Sequence, residues 1–173
     1  PRRALIARMQ ENRERALAEA WEKRDENLPY DEPYDALIMA SIIEKEASAG
    51  DDRRLVAAVF LNRLKKGMRL QSDPTVLYEA SESMTKPPRI TKTDLKTETP
   101  WNTYVIDGLP KTPICNPGKE SIMAALRPAK SSYLYFVSDG KGGLRFAKTL
   151  DAHNHNVRLF RQYRAAIEKG RSE

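Results

Sequence analysis

The chain has 173 residues, 40% of them hydrophobic and 31% charged, a size and balance that support one globular domain with its own core. Its net charge of +6 favours polyanionic partners, but no block of five like charges and no arginine-rich arm occurs, so a nucleic-acid binder lacks its usual footprint. No run of about 18 apolar residues is present, which excludes a membrane span within the chain, and the lone Cys115 excludes an internal disulfide framework and a cysteine metal cluster.

The first residues open directly into a helical pattern with no signal peptide, as expected of a fragment whose targeting or anchoring segment was cut away. Residues 2 to about 24 are predicted to form an amphipathic helix with Leu5, Ile6, Met9, Leu17 and Trp21 on the buried side. A proline-punctuated linker covers residues 28–34, and a second helix from Asp35 is expected to end near Gly50. Asp51 and Asp52 then cap a third helix that runs to about Lys66 and stops at Gly67. Leu55, Val59 and Asn62 share one face of it, so the polar Asn62 needs a hydrogen-bonding task. Asp73 before Pro74 starts a short helix through Tyr78. Residues 81–100 read as a long surface excursion with one helical turn near Asp94, and residues 101–118 as extended and turn-rich. A helix starting at Asn116 and Pro117 is expected to end near Leu126. Residues 133–138 form the clearest strand, returning through the turn Asp139–Gly143 to Leu144–Ala147, and a last helix capped by Thr149 or Asp151 runs to about Lys169.

The most informative position is Glu46. At about 100° per residue, Ile38, Met39, Ile42 and Ile43 gather on one arc of the second helix, and Glu46 falls in the middle of it, with Glu44 and Lys45 to either side. A carboxyl on a buried face holds its proton toward neutral pH, and a carboxylic acid protonated near pH 7 is what general-acid chemistry on a glycosidic bond requires. The alternative is a helix end at which Glu46 snorkels to water.

Other chemistries lack support. Asp139-Gly-Lys-Gly-Gly143 joins two strands and is no phosphate loop, His153 and His155 lack the spacing of a helical metal pair, and no Gly-x-Ser-x-Gly occurs. No metal or other cofactor is expected. Asn62, Gln71, Asp73, Thr75, Tyr78, Asn102, Thr103 and Tyr104 could line a sugar-binding groove through hydrogen bonds and flat stacking. Each also has an ordinary reading: Asp73 as a helix cap, Tyr78 and Tyr104 as core or rim residues.

Three segments, Ala40-Ser-Ile-Ile-Glu-Lys-Glu46, Val59-Phe-Leu-Asn-Arg-Leu64 and Gly67-Met-Arg-Leu-Gln-Ser-Asp-Pro-Thr75, together resemble the endolytic murein transglycosylase family (MltG, YceG-like). Asn102-Thr-Tyr104, Gly108-Leu-Pro110, Asn116-Pro-Gly118, Tyr133-Leu-Tyr-Phe-Val137, Asp139-Gly-Lys-Gly-Gly143 and His153-Asn154 extend the resemblance over roughly residues 21 to 169. It implies a lytic transglycosylase that cuts peptidoglycan glycan strands internally, leaving 1,6-anhydro ends, with Glu46 as the catalytic acid and base. The familiar threonine after that glutamate is Ala47 here, followed by Ser48. The resemblance also implies a periplasmic site at the bacterial inner membrane, through an N-terminal anchor absent from this chain, and cell-wall synthesis proteins as partners. No nucleic acid is expected, and the rival reading is a non-catalytic peptidoglycan-binding module. The expected fold is α+β, a mainly helical single domain with a β-hairpin, lysozyme-like in its catalytic helix arrangement. Residues 1–26 are the helix leading in, and residues 27–173 the catalytic domain.

Overall fold

The apolar run Ala36–Ile43 organises the molecule. In the computed structural model, which describes residues 2–47, 52–80 and 89–170, every residue of that run is buried. Over that run its helix, α2 (Pro33–Glu46), is enclosed on all sides rather than amphipathic, while Pro33, Tyr34 and Lys45 at its ends are exposed. It starts two residues ahead of the expected Asp35 because Pro33 occupies the first turn and a capping box joins Glu32 to Asp35. The Asp35 carboxylate accepts the backbone N–H groups of Asp31 and Glu32 at 2.9 and 3.2 Å.

Around α2 pack α1 (Arg2–Glu22), α3 (Asp52–Lys65), α4 (Asp73–Ala80) and α5 (Lys119–Leu126). α3 buries Val56 to Leu61, and α5 buries most of its length. Gly67, at φ +66°, takes the left-handed conformation that stops the chain after α3. α5 begins at Lys119, later than the expected Asn116–Pro117, because extended Gly118 is its N-cap. α2 likewise ends at Glu46, with Ala47 extended, rather than running on; the expected stop at Gly50, the cap at Asp51 and Ser48 lie outside the described residues.

α1 departs furthest from its expected face. Ala20 is buried and Leu17 and Trp21 pack against the core, but Leu5, Ile6 and Met9 are 58, 55 and 47% exposed. Only the second half of the helix lies against α5 and α2, so its first turns have nothing described to bury against.

A two-stranded antiparallel sheet, β1 (Tyr135–Ser138) and β2 (Leu144–Ala147), pairs Phe136 with Phe146 and Val137 with Arg145. Phe136 meets Phe60 of α3 edge-on at 5.7 Å, tying the hairpin to the core. The hairpin turn is closed by Asp139, whose carboxylate accepts the N–H groups of Lys141 and Gly143 at 2.7 and 2.9 Å. Gly140, at φ +80°, leaves room for Tyr163 of α6 (Leu150–Gly170), where a Cβ would collide with the ring. A 3-10 turn at Asp94–Lys96 fulfils the expected helical turn of the surface excursion. The class is α+β, with six helices and one two-stranded sheet among the described residues. No helix among them is long and apolar enough to cross a membrane.

Candidate active site

Glu46 is the last residue of α2 and is partly buried at the wall of a cleft of about 260 Å³. The cleft is assembled from separate elements: Val59, Phe60 and Arg63 of α3, Leu70 and Gln71 before α4, Asp73 at its first position, Tyr104, Phe136 of β1 and His153 of α6. Ser72 Oγ donates to Glu46 Oε1 at 2.6 Å. Burial raises the Glu46 pKa from 4.5 to about 7; the Ser72 hydrogen bond pulls it back, and the negative charge of Asp73 adds to the rise. Its place at the negative end of the α2 dipole acts in the same direction as burial.

Ser72 is held rigidly. Its backbone N–H donates to Thr103 Oγ1 at 3.0 Å, and its carbonyl accepts from Thr75 Oγ1 at 2.6 Å. The Thr75 and Thr103 hydroxyls meet at 2.9 Å, and Thr103 offers its carbonyl to the Gln71 N–H at 3.1 Å. Gln71 sits at φ +53°, a left-handed conformation in a non-glycine residue, which turns the chain so that Gln71, Ser72 and Asp73 all meet the neighbourhood of Glu46.

Opposite them, Tyr104 donates its hydroxyl to Asp73 Oδ1 at 2.5 Å. Burial, and then this bond, drive the phenol pKa upward, so Tyr104 stays protonated at any physiological pH. Arg63 forms the back of the cleft. It is 8% exposed and donates to three main-chain carbonyls: Leu134 at 2.7 Å, Arg69 at 3.1 Å and Leu70 at 2.9 Å. Its guanidinium lies 5.1 Å over the Tyr135 ring, and Tyr135 in turn stacks on His153 at 5.2 Å. Burial and then the Arg63 charge lower the His153 pKa, which favours the neutral imidazole.

Of the groove residues suggested by sequence, the structure brings Gln71, Asp73 and Tyr104 together with Glu46. Thr75 and Thr103 are fully buried behind that wall, where their hydroxyls hold Ser72. Asn102 is also buried; its amide donates to the carbonyls of Asp94 and Thr97 at 2.9 and 2.8 Å and fastens the 3-10 turn. Asn62 uses its amide on the carbonyls of Ser131 and Tyr133, both at 3.0 Å, and faces a different concavity beside Lys65 and Ala129. Tyr78 is 40% exposed, its ring 5.6 Å from Trp101 and outside the residues that bound the cleft.

Sequence reasoning missed Ser72, Arg63, Phe136 and His153. Ser72 precedes the Asp-Pro helix start, which made Asp73 the conspicuous residue. Arg63 lies one turn after Val59 on an apolar stripe, a signal of a buried cation. The spacing of His153 and His155 speaks only to metal binding and carries no mark of a place in the cleft; among the described residues no group of three acidic, histidine or cysteine side chains could hold a metal.

A family model described as YceG-like matches residues 1–159. The chain is 49% identical over 118 residues to the endolytic murein transglycosylase of Bacillus subtilis strain 168, an alignment covering 68% of this chain and 32% of that protein. It is 35% identical over 127 residues to the protein of the same description in Streptococcus pneumoniae strain D39, covering 70% of this chain and 22% of that one. A solved structure, a putative YceG-like protein from Listeria monocytogenes, superposes with a TM-score of 0.66 at 51% identity over 71% of this chain and 39% of its own. The chain thus spans a third or less of the length of the curated relatives it matches. With a family model across nearly all of its length, this chain belongs to the YceG-like family.

Proposed function

We propose that this chain is the catalytic part of an endolytic lytic transglycosylase acting on peptidoglycan glycan strands, with Glu46 as its acid and base. The observation that carries the reading is a carboxyl held at a pKa of about 7 inside a cleft, poised to give up a proton and to take one back. Protonated Glu46 donates to the glycosidic oxygen between N-acetylmuramic acid and N-acetylglucosamine, and the C1–O bond breaks. The resulting carboxylate takes the proton of the muramic C6 hydroxyl as that oxygen closes on C1, giving a 1,6-anhydro end and returning Glu46 to its acid form. One carboxyl serves both steps, so the reaction needs neither water nor a second catalytic carboxylate, unlike the usual glycosidase pair. Gln71, Asp73 and Tyr104 are the groups that orient the sugar beside it, and the Tyr104–Asp73 pair sets a negative charge near the positive centre that develops at C1.

Residues 1–26 lead into the catalytic unit of residues 27–173. In the full-length protein this unit works at the periplasmic face of the inner membrane, next to cell-wall synthesis proteins. The test is a digest of purified sacculi followed by mass spectrometry. The chain should release muropeptides with anhydro ends, and Glu46→Gln should release none. Retention of sacculi without any anhydro product would favour a binding module instead.

A further inference from the structure

A second concavity, larger than the Glu46 cleft, lies elsewhere on the molecule. It measures about 640 Å³ and lies between the start of α3 and the length of α5. Small-ligand sites run about 300–1,000 Å³, so this one is within range whereas the 260 Å³ catalytic cleft is too small to hold a branched substrate by itself. Arg53, Arg54, Lys119 and Arg127 surround it, against one carboxylate, Glu120, with Met123 supplying apolar floor. Among the described residues none of the four cations forms an ion pair. Four like charges around one hollow repel one another and focus a positive potential into it.

Two of these cations are already oriented. Arg53 Nε donates to Ser121 Oγ at 3.3 Å, and Arg54 Nε donates to the Arg127 carbonyl at 2.8 Å. Each bond uses the inner nitrogen and fixes the guanidinium plane. The terminal nitrogens make no further bond to a described residue and keep the paired geometry that grips a carboxylate. The pocket is also linked to the last turn of α2. The Ser121 hydroxyl that receives Arg53 donates to Glu44 Oε2, and Glu44 stands two residues before Glu46 on the last turn of α2. Arg53 at the pocket is thus joined, through Ser121, to the helix turn that carries Glu46.

We infer that the Arg53–Arg54–Lys119–Arg127 pocket is a carboxylate-binding subsite that receives an acidic peptide branch of the glycan whose backbone enters the Glu46 cleft. This rests on the glycan reading above. A branch held beside the helix end would position the strand, so that a bond next to a peptide-bearing sugar is presented to Glu46. The apolar Met123 contact suits the aliphatic part of such a branch.

The test has a binding arm and a cleavage arm. In the first, stem peptide released from sacculi by an amidase is titrated into the isotopically labelled chain, alongside inorganic phosphate. The peptide should shift the Arg53 and Arg54 side-chain N–H signals and the Lys119–Met123 amides, and raising the salt to about 1 M should abolish the effect. The Lys119→Glu/Arg127→Glu double variant should weaken binding about tenfold, and Lys119→Arg/Arg127→Lys should restore it. Absence of these shifts overturns the proposal, as does phosphate shifting the same signals when the peptide does not. In the second arm, the charge-reversal variant should raise KM about tenfold on intact strands and leave strands stripped of peptide unaffected. An equal loss on both substrates would mean a structural role and overturn it. If the parent chain yields no anhydro product from any substrate, the transglycosylase reading fails, while the peptide titration still decides the subsite.

Discussion

Glu44 and Glu46 stand two residues apart on the same last turn of α2, and their surroundings give them opposite tasks. Glu44 meets donors that want its charge: the Ser121 hydroxyl at 2.5 Å and the Gly118 N–H at 3.3 Å, at the N-terminus of α5. Glu46 meets a single hydroxyl, a neighbouring negative charge and burial that opposes its ionisation, and keeps its proton to about pH 7. One carboxylate is consumed in stapling two helices, and the other is left with a proton to spend. Burial of the Glu46 carboxyl, with Asp73 beside it, is what separates the two.

The comparison breaks first at the level of rate. Glu46→Gln should reduce anhydro-product formation by about 10²–10⁴-fold or more, the range expected for removal of a positioned acid and base. A Glu44→Gln variant with an equal loss would mean that the wrong glutamate has been assigned.

The second effect is on stability and has a definite sign. Below pH 4.5 Glu46 is protonated in both folded and unfolded chains, and its full contribution to stability is present. Between pH 4.5 and about 7 the unfolded chain gives up the proton while the fold retains it, so stability falls as the pH rises. Above about 7 the fold carries the whole cost of a charged carboxyl, about 3 kcal/mol. Glu46→Gln should therefore be more stable than its parent at alkaline pH by about that amount, and the two should converge in acid. Denaturant melts across the pH range check this, and activity of the parent should fall on the alkaline side as the acid form is lost. A parent as stable as the variant at high pH would remove the raised pKa.

A smaller effect is expected on the other side of the turn. Glu44→Ala should cost about 1 kcal/mol, through the lost charge and hydrogen bonds at the α5 N-terminus, and leave turnover per folded molecule unchanged. Thermal melts paired with active-site-normalised rates separate the two contributions.

The same contrast explains what could be read in advance. The Asp73-Pro74 start, the Asp139–Gly143 turn and the central apolar run depend on local chemistry, and each lies where the pattern put it. Glu46 was legible because a carboxyl beside isoleucines is anomalous at short range. Asn62, Thr75, Asn102 and Thr103 were not, because a polar side chain carries no mark of whether it will serve a ligand or a distant carbonyl; all four serve the main chain or each other. Leu5, Ile6 and Met9 have the right helical spacing for burial, but spacing cannot supply a neighbour. Ser72 depends on a contact 26 positions away in sequence, beyond the reach of any local pattern.

Gln71 has a consequence for how the site tolerates change. Its left-handed backbone is one that glycine adopts freely and that costs a side-chain-bearing residue about 1 kcal/mol. Gln71→Gly should therefore hold or slightly raise the melting temperature while lowering turnover, because the amide at the cleft is lost together with only a long hydrogen bond from Arg63 at 3.4 Å. A position that would be more comfortable empty, yet carries a long polar side chain, marks where foldability has been traded against chemistry.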